Sequence, residues 1–142
     1  MLFSLPILVS SQEAFIREKR DYIWTFGRGS TGPEGQNFWL DFNDMPVSQH
    51  ERPRTIGMEI ANAGMCDLNG NQLFTCNGFV VMNRFHQLVL NGDGLNPGEL
   101  TDDWLPYGQP LDQGAIALPL PESSSLYYLF HARREYLPNG QN

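Results

Sequence analysis

The sequence predicts an all-β protein made of antiparallel meander sheets, and three observations support this fold class. Two Asn-Gly dipeptides, at 69–70 and 77–78, lie between short β-branched and aromatic runs, which is a strong short-range signal for hairpins. The 142 residues include 14 Gly and 10 Pro at short intervals, a pattern typical of short strands joined by turns. Residues with high helix propensity accumulate only near positions 12–20.

The predicted strands follow the apolar runs along the chain. A lead with helical composition, at 13–20, comes before them, and a polar stretch at 48–53 follows the second strand. A spacer at 92–113, rich in Gly, Pro and Asp, precedes the last two strands. The strands are predicted at 22–26, 38–42, 64–67, 71–76, 79–83, 87–90, 115–118 and 126–130.

The segment from 64 to 90 has the clearest pattern, with short strands that follow one another as a meander. Two runs, 79–82 and 127–130, are apolar at every position, so both of their faces should be covered by stacked sheets. A four-stranded meander is the unit of a β-propeller blade. The sequence therefore predicts a partial β-propeller, with about one blade plus parts of its neighbours.

The first residues, 1–11, have the features of a signal-peptide remnant. An apolar run at 2–9 is too short to cross a bilayer, and the small residues Val9 and Ser11 stand where a cleavage site before Gln12 requires them. We therefore expect export, with residues 12–142 forming the N-terminal part of a propeller-like domain. The alternative is that 2–9 forms a buried N-terminal strand. No other segment of the sequence approaches transmembrane length.

The charge of the chain disfavours one class of partner. The formal net charge is −7, and the nine Lys and Arg residues are scattered apart from two small groups. A nucleic-acid-binding domain normally carries a basic stripe or patch that neutralises phosphates. We therefore expect no nucleic-acid partner, and we interpret the acidic surface as a source of solubility or of cation sites.

Two cysteines, Cys66 and Cys76, would form a disulfide only if the chain brought them together. A turn over 67–70 places Cys66 opposite Gln72, and Cys76 then lies four residues further along, about 13 Å away. A disulfide needs Cα atoms within about 7 Å of each other. The sequence therefore predicts two unpaired thiols.

Two loop motifs resemble ligand sites but lack a required part. The glycine pattern at 27–32 follows a strand, but Pro33 prevents the helix that a dinucleotide fingerprint needs, so we expect a loop. The segment 67–71 begins like a calcium loop and then has Gly78 where a bidentate Glu is required, so we expect a tight turn. Calcium is the one cofactor that we consider, and the carboxylates best able to hold it are those of the spacer, Asp93, Glu99, Asp102 and Asp103.

Two aromatic residues of the spacer, Trp104 and Tyr107, are the candidate ligand-binding residues. Exposed rings in a polar loop can stack on sugar rings or on a partner protein. The alternative is that these rings anchor the loop itself. The histidines, His50, His86 and His131, lack the His–His or His–Cys spacing of a metal site, and no G-x-S-x-G nucleophile motif is present. We expect no catalytic residues in this chain.

Several short motifs occur in an order that resembles a known family. They are Tyr22-Ile23-Trp24-Thr25-Phe26-Gly27, Leu40-Asp41-Phe42, the segment 65–74, Val81-Met82-Asn83, and the runs 114–119 and 126–130. The ordered set is similar to the N-terminal propeller-like region of large Bacteroidetes surface proteins. Those proteins are exported by type IX secretion and are described as gliding-motility-associated or adhesin-like. The similarity covers most of residues 22–130.

The resemblance implies a secreted protein of the bacterial cell surface. It implies a non-catalytic role in adhesion or scaffolding, with a protein or glycan ligand and with the remaining blades of the same polypeptide as partners. The spacer at 92–113 and the two cysteines depart from the family pattern. Two other functions stay open. One is a fragment of a propeller enzyme that acts on carbohydrate or peptide with catalytic residues outside this chain, and the other is a structural spacer.

Overall fold

The computed structural model describes residues 18–28, 37–51 and 54–137. Within these ranges the chain is built mostly from short strands, so the predicted all-β class is confirmed. The elements are β1 Ile23–Gly27, β2 Asn37–Asp41, β3 Ser48–Glu51, β4 Ala63–Cys66, β5 Gln72–Cys76, β6 Val81–Asn83, α1 Glu99–Trp104, β7 Ala115–Pro119 and β8 Tyr127–His131. They form three antiparallel sheets, in the orders β1-β2-β3, β4-β5-β6 and β7-β8.

Some predictions fall on residues that the structure does not describe. The signal-peptide remnant at 1–11, most of the helical lead at 13–20 and most of the glycine motif at 27–32 lie outside the described residues. In the described ranges, no helix has the length and apolar character that spanning a bilayer requires.

The first sheet confirms two predicted strands and adds a third. β1 pairs with β2 through the antiparallel partners Trp24 and Leu40, and β2 pairs with β3 through Leu40 and Gln49. We expected no strand in the polar stretch at 48–53, and the structure corrects this. β3 is an edge strand whose side chains are mostly exposed, so it lacks the apolar alternation of a half-buried strand.

The turn that joins β4 to β5 forms as the sequence predicts. The Asp67 backbone N–H donates to the carbonyl oxygen of Asn71 at 2.8 Å, and Gly70 has a φ of 89°. The Asp67 carboxylate accepts hydrogen bonds from the backbone N–H groups of Asn69 and Asn71, at 2.8 and 2.9 Å. These bonds lower the pKa of Asp67, the largest contribution coming from the side chain of Asn71. The acidic group therefore stabilises a tight turn.

The thiols of the second sheet are buried and unpaired, as predicted. Cys66 lies opposite Gln72, and Cys76 lies opposite Ala63 at the other end of the pairing. Burial raises the pKa of both thiols, because a thiolate would lose its hydration there. Such cysteines are packing residues with little nucleophilic character.

The prediction of a fourth strand for this meander, at 87–90, is wrong. A single bridge joins Met82 to Leu88. The side-chain oxygen of Asn83 accepts a hydrogen bond from the backbone N–H of Phe85 at 2.8 Å, and this turn starts the return of the chain. The chain turns again at Asn91, which has a φ of 56°. Two close turns leave too few residues between them for a regular ladder.

The second sheet contacts both of the others, in different ways. One of its faces packs on the third sheet through a buried cluster of Ala63, Cys76 and Ala115. Its contact with the first sheet is with the edge strand β1, where the Gln72 side chain donates to the Thr25 hydroxyl at 3.2 Å. Packing of the second sheet on the third therefore forms part of the core. A propeller-like arrangement of the sheets stays a prediction.

The main hydrophobic core lies where the second sheet meets the segment 54–58 and α1. The prediction that both faces of 79–82 are covered is confirmed for Phe79 and Met82, which are buried. The same prediction for 127–130 is wrong in this chain, because Tyr128 and Phe130 are exposed. The core residues are Ile56, Met58, Phe79, Val80, Met82 and Leu100, with Trp104 and Tyr136 packed against them.

The spacer at 92–113 contains a helix that we did not predict. α1 has only 6 residues, and the glycine before it offers no capping side chain, so the sequence signal for a helix is weak. Buried amides tie the spacer to the end of the described chain. Asn96 accepts a hydrogen bond from the backbone N–H of Arg134 at 2.9 Å, and the Gln109 side chain donates to the carbonyl oxygen of Ala132 at 2.6 Å.

Candidate functional site

The two aromatic residues predicted to bind a ligand, Trp104 and Tyr107, come together at the end of α1. Their rings meet edge to face, with centroids 6.1 Å apart. The Trp104 indole N–H donates to the Tyr136 hydroxyl at 3.1 Å, and its ring packs against the main core. These contacts favour the alternative that the rings anchor the spacer. Ligand binding by this pair stays a prediction.

The four carboxylates predicted to hold calcium all lie on the surface of the spacer. Asp103 accepts a hydrogen bond from the Tyr136 hydroxyl at 2.9 Å, and this bond raises the pKa of Tyr136. Among the described residues, the metal-ligating side chains that do converge in a group of three lie elsewhere. The structure therefore does not bring the predicted set together, and calcium binding stays a prediction. The set comprises Asp93, Glu99, Asp102 and Asp103.

The third sheet carries a large exposed apolar surface. Ile116 lies opposite Phe130, and Leu118 lies opposite Tyr128, so the four side chains share one face of the sheet. Each of them is between 45% and 54% exposed. The rings of Tyr128 and Phe130 are tilted, with centroids 5.8 Å apart. We call these four residues the outer face.

The opposite side of the third sheet is covered. Ala115 and Leu129 pack against the second sheet, and the Tyr127 ring meets the Phe74 ring edge to face at 5.7 Å. Because side chains alternate along a strand, the apolar run at 127–130 turns every second large side chain outward. A sheet with one face in water normally has polar residues on that face. The outer face instead has the composition of a surface that another surface covers.

The first sheet has apolar side chains on the face opposite to that of Thr25. Trp24 is 50% exposed, and its ring lies against that of Phe42, with centroids 5.1 Å apart. Phe26 stacks on its cross-strand partner Phe38 at 5.5 Å. Partly exposed apolar side chains therefore lie on the first sheet as well as on the third.

The clefts between sheets are small. One of about 330 Å³ lies beside Trp24 and Asn62, and another of about 290 Å³ lies beside Trp39 and Asp41. Small-molecule sites usually have volumes of about 300–1,000 Å³ and enclose most of the ligand. Both clefts stand at the bottom of that range. The outer face of the third sheet is therefore the better candidate for a functional surface.

One arrangement on the first sheet bears on the enzyme alternative. The Ser48 hydroxyl lies 2.7 Å from Nε2 of His50 and also contacts the Asp44 carboxylate. A carboxylate can only accept, so the hydroxyl donates its proton to Asp44 and accepts the imidazole N–H. A nucleophilic serine makes the opposite bond and donates to the imidazole. This geometry therefore does not activate Ser48.

Sequence reasoning missed two groups of residues. The outer face was detectable from the alternation of 116, 118, 128 and 130 along two paired strands, once one side is assigned to a neighbouring sheet. The second group is Asp41, Asp44 and His50, whose ligand atoms converge. A search for His–His or His–Cys spacing passes over it, because two of its three members are aspartates.

Comparison with known proteins finds no protein-family model, no curated protein and no solved structure that matches the chain. The function proposed below rests on the geometry of the chain itself and on the features of its sequence.

Proposed function

We propose that this chain is a non-catalytic binding and scaffolding module of a secreted bacterial cell-surface protein, built from sheets that stack in a propeller-like order. The observation that carries the proposal is the outer face, where Ile116, Leu118, Tyr128 and Phe130 stay about half exposed. The partner that covers this face is a further antiparallel sheet of the same polypeptide, which presents apolar side chains of its own.

The second sheet supports this choice of partner. One of its faces is covered by β7 and β8, so the chain already buries apolar side chains between two antiparallel sheets. The outer face carries aliphatic and aromatic side chains, as the covered faces do, and none of its four members is charged. A stack that repeats this packing would bury the outer face in the same way.

The size of the outer face fits the centre of a protein interface. Half-exposed Tyr and Phe side chains leave about 100 Å² each, and the two aliphatic side chains somewhat less, which gives roughly 350 Å² of apolar surface. Exposed apolar patches of a few hundred Å² on soluble proteins are commonly functional. A protein surface is favoured over a glycan, since a sugar site pairs aromatic rings with polar groups and the four members offer only the Tyr128 hydroxyl.

The location in this proposal rests on two features of the sequence. Residues 1–11 have the pattern of a signal-peptide remnant, and the ordered motifs over 22–130 resemble exported surface proteins. The non-catalytic role is supported by the same resemblance, which implies no catalytic residues.

A thiol-labelling experiment tests the proposal. Leu118→Cys places a thiol on the outer face, and Ser124→Cys places one in the exposed turn between β7 and β8. A water-soluble maleimide is applied to this chain in isolation and to the same variants displayed by the source cells. The native thiols are buried and give a low background.

The expected result is fast labelling of both variants in the isolated chain. On intact cells Cys at 124 should still react, whereas labelling at 118 should slow by at least about tenfold, because a neighbouring sheet covers it. Equal rates at 118 in both settings would contradict the covered face. Labelling at neither position on intact cells, with labelling at 124 restored by lysis, would contradict surface display.

A further inference from the structure

We propose that Asp41, Asp44 and His50 bind a divalent transition-metal ion of the zinc class on the first sheet. One ligand atom from each of the three side chains lies within 4.8 Å of the other two. The set is separate from the outer face, and the proposal does not depend on the function proposed above. Its ligands are two carboxylate oxygens and an imidazole nitrogen, a combination that zinc proteins use.

The register of the β2–β3 hairpin brings the ligands together. Asp41 lies opposite Ser48, and Trp39 lies opposite His50, so the side chains of Asp41 and His50 emerge on the same face of the sheet. Asp44 lies in the connection between the strands, and its carboxylate turns back to contact the Ser48 hydroxyl. Two ligands therefore come from paired strands and the third from the loop that joins them.

The charges of the cluster favour a cation. The cluster contains two carboxylates and one imidazole, and Nε2 of His50 lies 3.9 Å from Oδ2 of Asp44. Two carboxylates held this close repel each other. A dication between them would remove the repulsion, and the neutral imidazole would supply the third ligand.

The two oxygen ligands and one nitrogen ligand indicate which metal ions the site would prefer. Calcium and magnesium prefer sites made of oxygen atoms alone, whereas imidazole suits zinc, copper, nickel and iron. In a tetrahedral zinc site with bonds of about 2.0–2.1 Å, adjacent ligand atoms are about 3.3 Å apart. Small side-chain rotations would bring the 3.9 Å separation of His50 and Asp44 to that value. The exposed side of the cluster leaves room for a water molecule as the fourth ligand.

Neighbouring groups already hold two of the ligands in place. The backbone N–H of Asn43 donates to Oδ1 of Asp41 at 2.8 Å, which leaves Oδ2 for a metal. The Trp39 ring stacks on the imidazole of His50, with centroids 5.0 Å apart and planes at 21°. Such outer contacts orient metal ligands and raise affinity. The Ser48 hydroxyl would give up its bond to His50 when the metal binds.

Isothermal titration calorimetry of the whole chain with ZnCl₂, and the visible absorption of Co²⁺ added in its place, test the site. His50→Ala and Asp41→Asn remove one ligand each, at an exposed and at a half-buried position, and circular dichroism checks that the fold is unchanged. His131→Ala is the matched control, because it removes an exposed histidine from β8 far from the cluster.

We expect saturable binding at one site, with the dissociation constant raised by at least about tenfold in His50→Ala and Asp41→Asn and unchanged in His131→Ala. Zn²⁺ should also raise the melting temperature of the wild-type chain and of the control. Absence of heat and of thermal stabilisation with Zn²⁺ would overturn the proposal. So would binding that survives both ligand substitutions, or binding of Ca²⁺ in preference to Zn²⁺.

Discussion

The second and third sheets of this protein both contain apolar strands, but the two sheets are covered to different extents. The second sheet is covered on both sides, by the third sheet on one and by the main hydrophobic core on the other, and its Met65 and Met82 side chains are buried. The third sheet is covered on one side only, so Tyr127 and Leu129 pack inward while Tyr128 and Phe130 face outward. Apolar residues at successive strand positions are typical of a sheet that is covered on both sides, and the described residues cover only one side of the third sheet.

The difference separates residues that fold the chain from residues available for binding. Burial of a side chain contributes to stability only where the folded chain itself supplies the covering surface. The outer face contributes little to the stability of the isolated chain, because its side chains stay half in water. Its apolar character is therefore the basis of the binding role proposed for it.

The largest expected effect compares the same truncation on the two kinds of surface. Phe79→Ala, at a position 1% exposed, should lower the free energy of unfolding by about 3–5 kcal/mol, because it leaves a cavity in the core. Phe130→Ala, on the outer face, should cost less than about 1 kcal/mol. Urea unfolding monitored by fluorescence measures both. Similar losses for the two variants would show that the outer face is already covered within the chain.

A second comparison concerns a buried charge, whose removal should raise the free energy of unfolding. Arg54 is 5% exposed and donates to the carbonyl oxygen of Phe26, but its Nε and Nη1 find no hydrogen-bond partner among the described residues. Arg54→Met should therefore raise the free energy of unfolding by about 1–4 kcal/mol. Arg133→Met, at an exposed position, should change it by less than about 0.5 kcal/mol. A less stable Arg54→Met chain would contradict the assignment of an uncompensated charge.

The burial of Arg54 also predicts how the free energy of unfolding depends on pH. Burial lowers the pKa of Arg54 to about 10, below its value in the unfolded chain. Because the unfolded chain then holds a proton that the folded chain has lost, the contribution of Arg54 to stability rises as the pH goes above about 10. The advantage of Arg54→Met should therefore shrink between pH 9 and pH 11. An advantage that stays constant over this range would contradict the shifted pKa.

The smallest expected effect concerns the turn that sets the register of the covered sheet. Asp67→Ala removes the acceptor for the N–H groups of Asn69 and Asn71 and should cost about 1 kcal/mol at pH 7. The folded-state pKa of Asp67 is lowered, so this stability is present above the ordinary Asp pKa and is lost as the pH falls through the lowered value. The difference from wild type should therefore be smaller at pH 2.5 than at pH 7 in urea unfolding. Asp93→Ala, at an exposed position outside this turn, is the control and should change the free energy of unfolding by less than about 0.5 kcal/mol at pH 7.

The sequence predicts local structure well where turns are coded by short motifs. The Asn69-Gly70 turn forms, and Cys66 comes to lie opposite Gln72, because a glycine with positive φ fixes the register of the hairpin. Strands with apolar patterns, β1 and β2 among them, are found at nearly the predicted positions. β3 is missed because an edge strand with exposed polar side chains carries no apolar period.

The parts that could not be predicted depend on contacts between distant segments. The spacer is held by amides, and Asn96 bonds to Arg134 across 38 positions, which no local pattern encodes. The Asp41, Asp44 and His50 cluster needs the register of β2 with β3, and β3 itself was not predicted. For the outer face, the sequence shows two-sided apolar strands, and only the stacking order shows which side is left open.

The most direct test of the central claim is a scan of thiol reactivity along β7 in the isolated chain. Single cysteines at 115, 116, 117 and 118 are treated with a water-soluble maleimide, and the native cysteines provide the buried reference. Because side chains alternate between the covered side and the outer face, the labelling rates should be fast at 116 and 118 and slow at 115 and 117. Uniformly slow labelling, or labelling without alternation, would contradict a sheet that is covered on one side and open on the other.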